Sequence, residues 1–257
     1  FLPAGEKLYR GAQVKVTKEE EVNTKTKNLK SLVKTAVSPR PNKFLLGQPW
    51  KVWWWYKIGE TREKGFKAFL KKKLGEPPVL SSRVKPASIA ENIQSLLDNN
   101  GYFQSTAQGD TVNKSYFTKA IYNVQVKPQY LIDTISWVSD SSKVMKALEN
   151  ARGRSILKEG NPYSLNDLKA ERERLDLILK TKGYYYFNPD YLMAYADSTV
   201  GNRKVRVYLN LKKETPVDAK TAYRINKITV FPNYSLNSNS LDTSVAGAVN
   251  FKGVYIK

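Results

Sequence analysis

Two stretches of the chain carry apolar residues at helical spacing, and each ends at a glycine followed directly by aromatics. In the first, Ile89, Ile93, Leu96 and Leu97 fall on one stripe, and Gly101 leads into Tyr102 and Phe103. In the second, Leu165, Leu168, Leu175 and Leu179 fall on one stripe, and Gly183 leads into Tyr184, Tyr185, Tyr186 and Phe187. Spacing of three and four residues puts such side chains on one face of an α-helix. Ser88 with Glu91 reads as a capping box, and Ser164 with Asp167 as a weaker one. Gly101 and Gly183 stand where a left-handed C-cap belongs. On the second helix, Lys169–Glu173 and Asp176–Lys180 are spaced for ion pairs on a solvated face.

After each glycine the period changes from helical to alternating. Tyr102 to Gln108, a turn at Gly109-Asp110, and Tyr116 to Val126 read as a hairpin, with Tyr122, Val124 and Val126 alternating. Tyr184 to Ala196, a turn at Val200-Gly201-Asn202, and Val205, Val207, Leu209 and Leu211 repeat it. Each hairpin is followed by the same phrase, Tyr-x-Ile-x-x-Ile-x-apolar, once at Tyr130, Ile132, Ile135 and Trp137 and once at Tyr223, Ile225, Ile228 and Val230. Self-similarity at this length is the mark of a repeated structural unit.

Between those two openings lies one complete unit. It comprises a strand at about 130–138, a helix at about 141–152 with Val144, Leu148 and Ala151 on one face, a helix at about 164–182 and a hairpin at about 184–212. The order is β-α-α-β-β. The N-terminal part fits it too, with a strand from Leu8 to Val16 and a helix from Lys18 to Val37. That helix opens on Glu19, Glu20 and Glu21 and carries a stripe of Val22, Leu29, Leu32, Val33 and Ala36, a charge order that suits the helix dipole. An α+β protein is therefore expected, built of tandem β-α-α-β-β units, each a three-stranded mixed sheet covered by two helices. The expected divisions are 1–127, with an insertion at about 39–82; 128–214; and 222–257, the start of a third, incomplete unit. After Pro232 that last segment turns rich in Asn and Ser before Val249 to Ile256.

Composition narrows the function. Among 257 residues there is no histidine and no cysteine, which excludes Ser-His, Cys-His and His-ligated metal chemistry. No phosphate-binding or dinucleotide glycine motif occurs, so neither a metal nor another cofactor is expected. Glu171 and Glu173 are the carboxylate pair one would offer for hydrolysis. On a helix they point about 200° apart and cannot flank one bond, so both read as solvated charges. A non-catalytic protein is expected. No apolar run approaches the roughly 20 residues of a membrane helix. Residue 1 is Phe, from which a processed chain that has lost its targeting segment is expected.

The net charge is +20, and residues 1–85 hold 20 Lys or Arg against 7 Asp or Glu. A basic end of this kind calls for an anionic partner: nucleic acid, phospholipid headgroups or an acidic protein. The same region holds Trp50, Trp53, Trp54, Trp55 and Tyr56, followed by Lys57, Arg62, Lys64, Lys67, Lys71, Lys72 and Lys73, with Phe66, Phe69 and Leu70 among the lysines. Three readings compete. The insertion buries its tryptophans, it forms an interfacial patch with lysines reaching anionic lipid headgroups, or it docks a protein. Trp50, Trp53, Trp54, Trp55, Tyr56, Lys71, Lys72 and Lys73 are the candidate contact residues. Interleaved Tyr, Trp and Lys would also serve base stacking beside phosphates. The basic residues, however, cluster on an insertion and no RNP-like motif is present, so no specific nucleic acid is expected.

Several short motifs, taken in order, carry a family resemblance. They are Phe1-Leu-Pro-Ala-Gly-Glu6, Leu74-Gly-Glu-Pro-Pro-Val-Leu80, Asn99-Asn-Gly-Tyr-Phe103, Leu168-Lys-Ala-Glu-Arg-Glu-Arg174, Gly183-Tyr-Tyr-Tyr-Phe-Asn-Pro-Asp190 and Val230-Phe-Pro-Asn-Tyr234. With the tandem β-α-α-β-β order, the chain resembles the POTRA domains that precede the membrane barrel of outer-membrane protein assembly factors. It is most similar to the lipoprotein form of TamA found in Bacteroidetes (TamL-like). That resemblance implies a periplasmic scaffold attached to the outer membrane through a lipid anchor and a C-terminal membrane barrel, both absent from this chain. The family's lipobox cysteine is not in this sequence. The implied partners are unfolded outer-membrane protein substrates and a TamB-like periplasm-spanning protein, bound partly by strand addition at sheet edges. The strands after Gly101 and Gly183 are the expected edges, with Tyr102, Gln104, Thr106, Tyr184, Tyr186 and Asn188 as candidate binding residues. The alternative is a nucleic-acid- or anionic-membrane-surface-binding protein acting through the basic, Trp-rich N-terminal third.

Overall fold

A computed structural model of the chain describes residues 2–61, 64–137, 142–232 and 246–257. The fold is α+β, with three three-stranded mixed sheets in tandem. In chain order the elements are β1 (Leu8–Lys18), α1 (Thr26–Thr35), α2 (Trp50–Ile58), α3 (Phe66–Leu74), α4 (Pro86–Asn99), β2 (Thr106–Lys114) and β3 (Phe117–Val126). Then come β4 (Leu131–Trp137), α5 (Lys143–Glu149), α6 (Leu165–Thr181), β5 (Leu192–Asp197), β6 (Lys204–Leu211), β7 (Ile228–Val230), β8 (Val249–Phe251) and β9 (Val254–Ile256). The sheets run β1-β3-β2, β4-β6-β5 and β7-β9-β8, so the last strand of each set lies in the middle. In the first and third sheets the opening strand is parallel to the central one and the remaining strand antiparallel.

By packing, the chain divides into two compact units: residues 1–136 with 156–170 and 194–208, and residues 137–155 with 171–193 and 209–257. The core of the first is built on β3, where Thr118, Ala120, Tyr122, Val124 and Val126 are buried at every second position. This is the period-2 pattern of a strand with one covered face. Leu29 and Val33 of α1 and Ile89, Ile93 and Leu97 of α4 close over it. Each of these fully buried aliphatic side chains contributes about 2 kcal/mol relative to an exposed one. The core of the second unit gathers Val144, Met145 and Leu148 of α5, Leu175 and Leu179 of α6, and Tyr184, Phe187 and Leu192.

Several boundaries differ from the sequence reading. The strand β1 extends to Lys18, still paired with Val126, and the Glu19 N–H donates to the Val126 carbonyl at 3.2 Å. The acidic trio therefore follows a strand, with Glu19 ion-paired to Lys127 and Glu21 to Arg203, and α1 begins only at Thr26. The helix α4 begins at Pro86, whose fixed φ suits the first helical position, and Lys85 before it makes no side-chain cap. Ser88 lies inside the helix, so no capping box forms. The weaker signal at α6 holds, with the Asp167 N–H donating to Ser164 Oγ at 3.3 Å. Ser142 caps α5 by accepting from the Met145 N–H at 3.3 Å, and that helix closes at Glu149 rather than near 152. The expected beginning of that helix at 141 lies outside the described residues.

The first hairpin turns at 115–116, not at Gly109-Asp110, which sit inside β2. β5 starts at Leu192, and the tyrosine-rich stretch before it forms turns. The strand expected from Tyr223 is shortened to Ile228–Val230. On α6, Glu171 is fully buried and Asp176 nearly so, where solvated charges were expected. Arg174 meets Glu171 through two hydrogen bonds, 2.6 and 2.8 Å, and Lys180 meets Asp176 at 2.8 Å, so the burial is paired. Among the described residues no helix is long and apolar enough to cross a membrane.

Candidate functional site

The strand order leaves β2 on the rim of the first sheet and β5 on the rim of the second. Among the described residues, the backbone of β2 is bonded only to β3. Its other flank presents N–H and C=O groups with no ladder partner, as edge strands do. Side chains alternate along it. Ala107, Gly109 and Thr111 are half-buried, whereas Gln108, Asp110 and Val112 are exposed. Gly109 is required by packing, because a Cβ there would stand 2.4 Å from the Pro86 carbonyl oxygen at the start of α4. The rim of β1 is blunted at its start. The Tyr9 N–H donates to the Val79 carbonyl at 2.8 Å and the Ser81 N–H to the Lys7 carbonyl at 2.8 Å.

The candidate edge residues scatter around these strands. Tyr102 is buried in the first core, its hydroxyl 2.8 Å from Thr24 Oγ1. Gln104 is exposed in a left-handed turn, and only Thr106 lies on β2. Tyr184 is buried in the second core. Tyr186 is exposed and meets the Tyr223 ring edge-on at 5.3 Å. Asn188 caps a short turn by accepting from the Asp190 N–H at 2.8 Å. None of these three is on β5. The outward positions there are Met193 and Tyr195, both about half-exposed, with Tyr195 6.0 Å from the Tyr208 ring. The signal in the sequence is the alternation of Met193 and Tyr195 with Leu192 and Ala194.

The insertion folds as a helical hairpin of α2 and α3. Asn42 ties its base, donating to the Pro77 carbonyl at 2.9 Å and accepting from the Val79 N–H at 2.7 Å. The Glu76 N–H reaches the Lys51 carbonyl at 3.0 Å. Val52 is the buried anchor of α2. Trp55 and Tyr56 are half-buried, but Trp50, Trp53 and Trp54 keep 47%, 40% and 38% of their surface in solvent, so burial does not account for these three. Lys71 lies over the Trp55 ring at 4.0 Å and donates to the Gly59 carbonyl at 2.6 Å, whereas Lys72 and Lys73 are exposed. Beside α2 runs an open groove of about 730 Å³, walled by Leu2, Pro3, Leu8, Trp50, Trp53 and Phe117.

Polar chemistry elsewhere is structural. Hydrogen bonds from the Ser82 and Ser81 hydroxyls lower the Glu6 carboxyl below its usual range. The Lys204 ammonium does the same for Asp133. Glu171 and Glu173 fall on opposite sides of α6, one buried and one exposed. Among the described residues, no three His, Cys, Asp or Glu side chains are grouped to hold a metal.

No family model matches the chain, and no curated protein matches it. Similar solved structures exist. The crystal structure of Haemophilus influenzae BamA POTRA3-5 is 12% identical over 99% of this chain and 82% of that one, with a TM-score of 0.42. POTRA1-3 of the periplasmic domain of Omp85 from Anabaena is 12% identical over 79% and 61%, with a TM-score of 0.37. The N-terminal domain of Omp85 from Thermosynechococcus elongatus is 10% identical over 88% and 66%, with a TM-score of 0.33.

Proposed function

We propose that this chain is a non-catalytic scaffold that receives extended polypeptides along its sheet rims, as the periplasmic part of an outer-membrane assembly or translocation factor. The observation that carries the reading is the rim of β2, nine residues long and, among the described residues, bonded on one flank only. An extended segment laid against it satisfies main-chain groups regardless of sequence, while alternate side chains meet Gln108, Asp110 and Val112 on one face. A receptor for many different unfolded chains needs that combination of backbone affinity and loose side-chain selection.

The resemblance to POTRA domains supports placing the scaffold in the periplasm, next to an outer-membrane barrel and in the lipoprotein TamA-like branch. On this reading the units are 1–127, 128–214 and 222–257. The third is the start of an incomplete unit, and its described strands have the same order as those of the other two. A TamB-like periplasm-spanning protein would be an accessory partner of the same rims.

The test is a titration of the isotopically labelled chain with a synthetic peptide of alternating apolar and polar residues, the pattern of a barrel strand, followed by NMR. Binding at the rim shifts amide resonances across Thr106–Lys114 and leaves α1 unchanged. Shifts confined to helix faces, or no shifts at saturating peptide, would refute the reading.

A further inference from the structure

We propose that the α2–α3 hairpin docks on the surface of an anionic phospholipid bilayer. This surface is separate from the β2 rim, so the loss of either proposal leaves the other standing.

The hairpin gathers large apolar side chains in water. Trp50, Trp53 and Trp54 on α2 are joined by Phe66 and Phe69 on α3, 74% and 56% exposed, and by Leu46 ahead of α2 at 92%. Large apolar side chains left in water this densely along one short segment mark an interaction surface. Its tryptophans brace one another edge-on, with Trp53 6.3 Å from Trp50 and 5.0 Å from Trp54, so the patch is ordered. Indole rings suit the headgroup layer, apolar over most of their surface with one N–H donor at the rim.

Charge selects the kind of surface. Lys57 lies over the Trp53 ring, Lys71 over Trp55 and Lys73 over Phe69, at 6.0, 4.0 and 5.5 Å. Among the described residues no lysine between 43 and 75 is paired with a carboxylate. These cations stand beside the apolar side chains with no carboxylate to neutralise them, the arrangement that puts ammonium groups at phosphate depth while the rings enter the acyl boundary. A polynucleotide would use the lysines and the ring faces, but not Leu46 or the aliphatic mouth of the groove at Leu2 and Pro3. An acyl surface uses all of them.

The whole chain is mixed with vesicles of phosphatidylcholine alone, or with one third phosphatidylglycerol, and bound protein is measured by sedimentation alongside tryptophan emission. Docking predicts about tenfold tighter partition to the anionic vesicles, weakened by salt, with a blue shift, since four of the five tryptophans lie on the hairpin. Lys72→Glu with Lys73→Glu abolishes the preference for anionic vesicles. Phe66→Ser with Phe69→Ser lowers binding to them several-fold at unchanged charge. All four side chains are exposed, so the fold is retained, and circular dichroism checks it. Equal partition to both vesicles, or full binding by the Phe variant, overturns the proposal. So does single-stranded DNA binding that the Phe and Lys variants reduce equally while vesicle binding is absent.

Discussion

The Gly101 carbonyl accepts the Tyr130 N–H at 2.8 Å, joining the end of one helix to the opening of the next strand. The chain makes the same junction again, where the Gly183 carbonyl accepts the Tyr223 N–H at 2.7 Å. At both places the glycine closes a helix in left-handed conformation, φ +77° and +93°. The next N–H reaches back five residues to the helix, Tyr102 to Leu97 and Tyr184 to Leu179. An aromatic ring then meets the incoming tyrosine edge-on, Phe103 with Tyr130 at 5.0 Å and Tyr186 with Tyr223 at 5.3 Å. The repeat is thus a repeat of junctions as well as of elements.

Alanine at either glycine meets two obstacles. A left-handed φ costs an L-residue about 1 kcal/mol. The new Cβ would also stand 2.7 Å from the Tyr163 carbonyl oxygen at Gly101, and 2.5 Å from that of Tyr223 at Gly183. Gly101→Ala and Gly183→Ala should each destabilise by about 3 kcal/mol. Gly160→Ala, at φ +80° in open space, should cost only about 1 kcal/mol. Urea denaturation of the three variants checks the ranking.

Tyr9 and Tyr122 are fully buried, and neither hydroxyl has a hydrogen-bond partner among the described residues. Burial, reinforced by Tyr122, pushes Tyr9 from 10.0 up to about 12. The neutral phenol is the form the fold favours. The stability it holds is complete below pH 10 and drains away as pH rises from 10 to about 12, by about 2 kcal/mol. Tyr9→Phe should be near neutral in stability at pH 7 and flatten the decline above pH 10. Melting temperatures of both proteins between pH 8 and 12 decide this.

Glu171 has no exposed surface, and Arg174 holds both of its carboxylate oxygens while also donating to the Ala151 carbonyl at 3.2 Å. Arg174→Met removes the paired cation from that buried carboxylate and should cost about 3 kcal/mol. The double substitution Glu171→Met with Arg174→Met should recover part of the loss, because it also removes the buried charge that Arg174 neutralises. Urea midpoints of the single and double variants give the comparison.

Among the described residues, the second core draws no side chain from 43–75. Replacing 43–75 by a short Gly-Ser linker should therefore leave the methyl resonances of Leu148, Leu175 and Leu179 dispersed in NMR spectra. Their collapse to random-coil positions would show that the core depends on the hairpin.

The central helices and their glycine ends were legible because stripe and cap agree there, and strand pairs were legible from alternation. The misreadings have local causes. Gly109-Asp110 looks like a turn, yet glycine is present because Pro86 approaches; the real turn puts Ser115 at φ +52° without glycine. Glu19 to Glu21 look like a first helical turn, but pairing of Lys18 with Val126 keeps the chain extended. The helix α2 hides because tryptophans surround it and no polar face sets a period. At Tyr184 to Tyr186, β-propensity misled. Tyr184 turns into the second core while Tyr185 and Tyr186 stay outside, and the rim begins only at Leu192. Glu171 and Asp176 show that i,i+3 and i,i+4 pairing does not say which face is wet.

The rim of β2 is tested most directly by cross-linking, which the absence of native cysteine makes clean. Single cysteines at Gln108, Asp110 and Val112 on β2, and at Lys30 on the exposed face of α1, would be offered an unfolded outer-membrane barrel protein carrying one cysteine in a strand segment, with a mild oxidant present. The account predicts disulfides at the three β2 positions, with the preferred partner stepping by two residues as the β2 position steps by two, and none at Lys30. Cross-links of equal yield at Lys30, or none on β2, would contradict it.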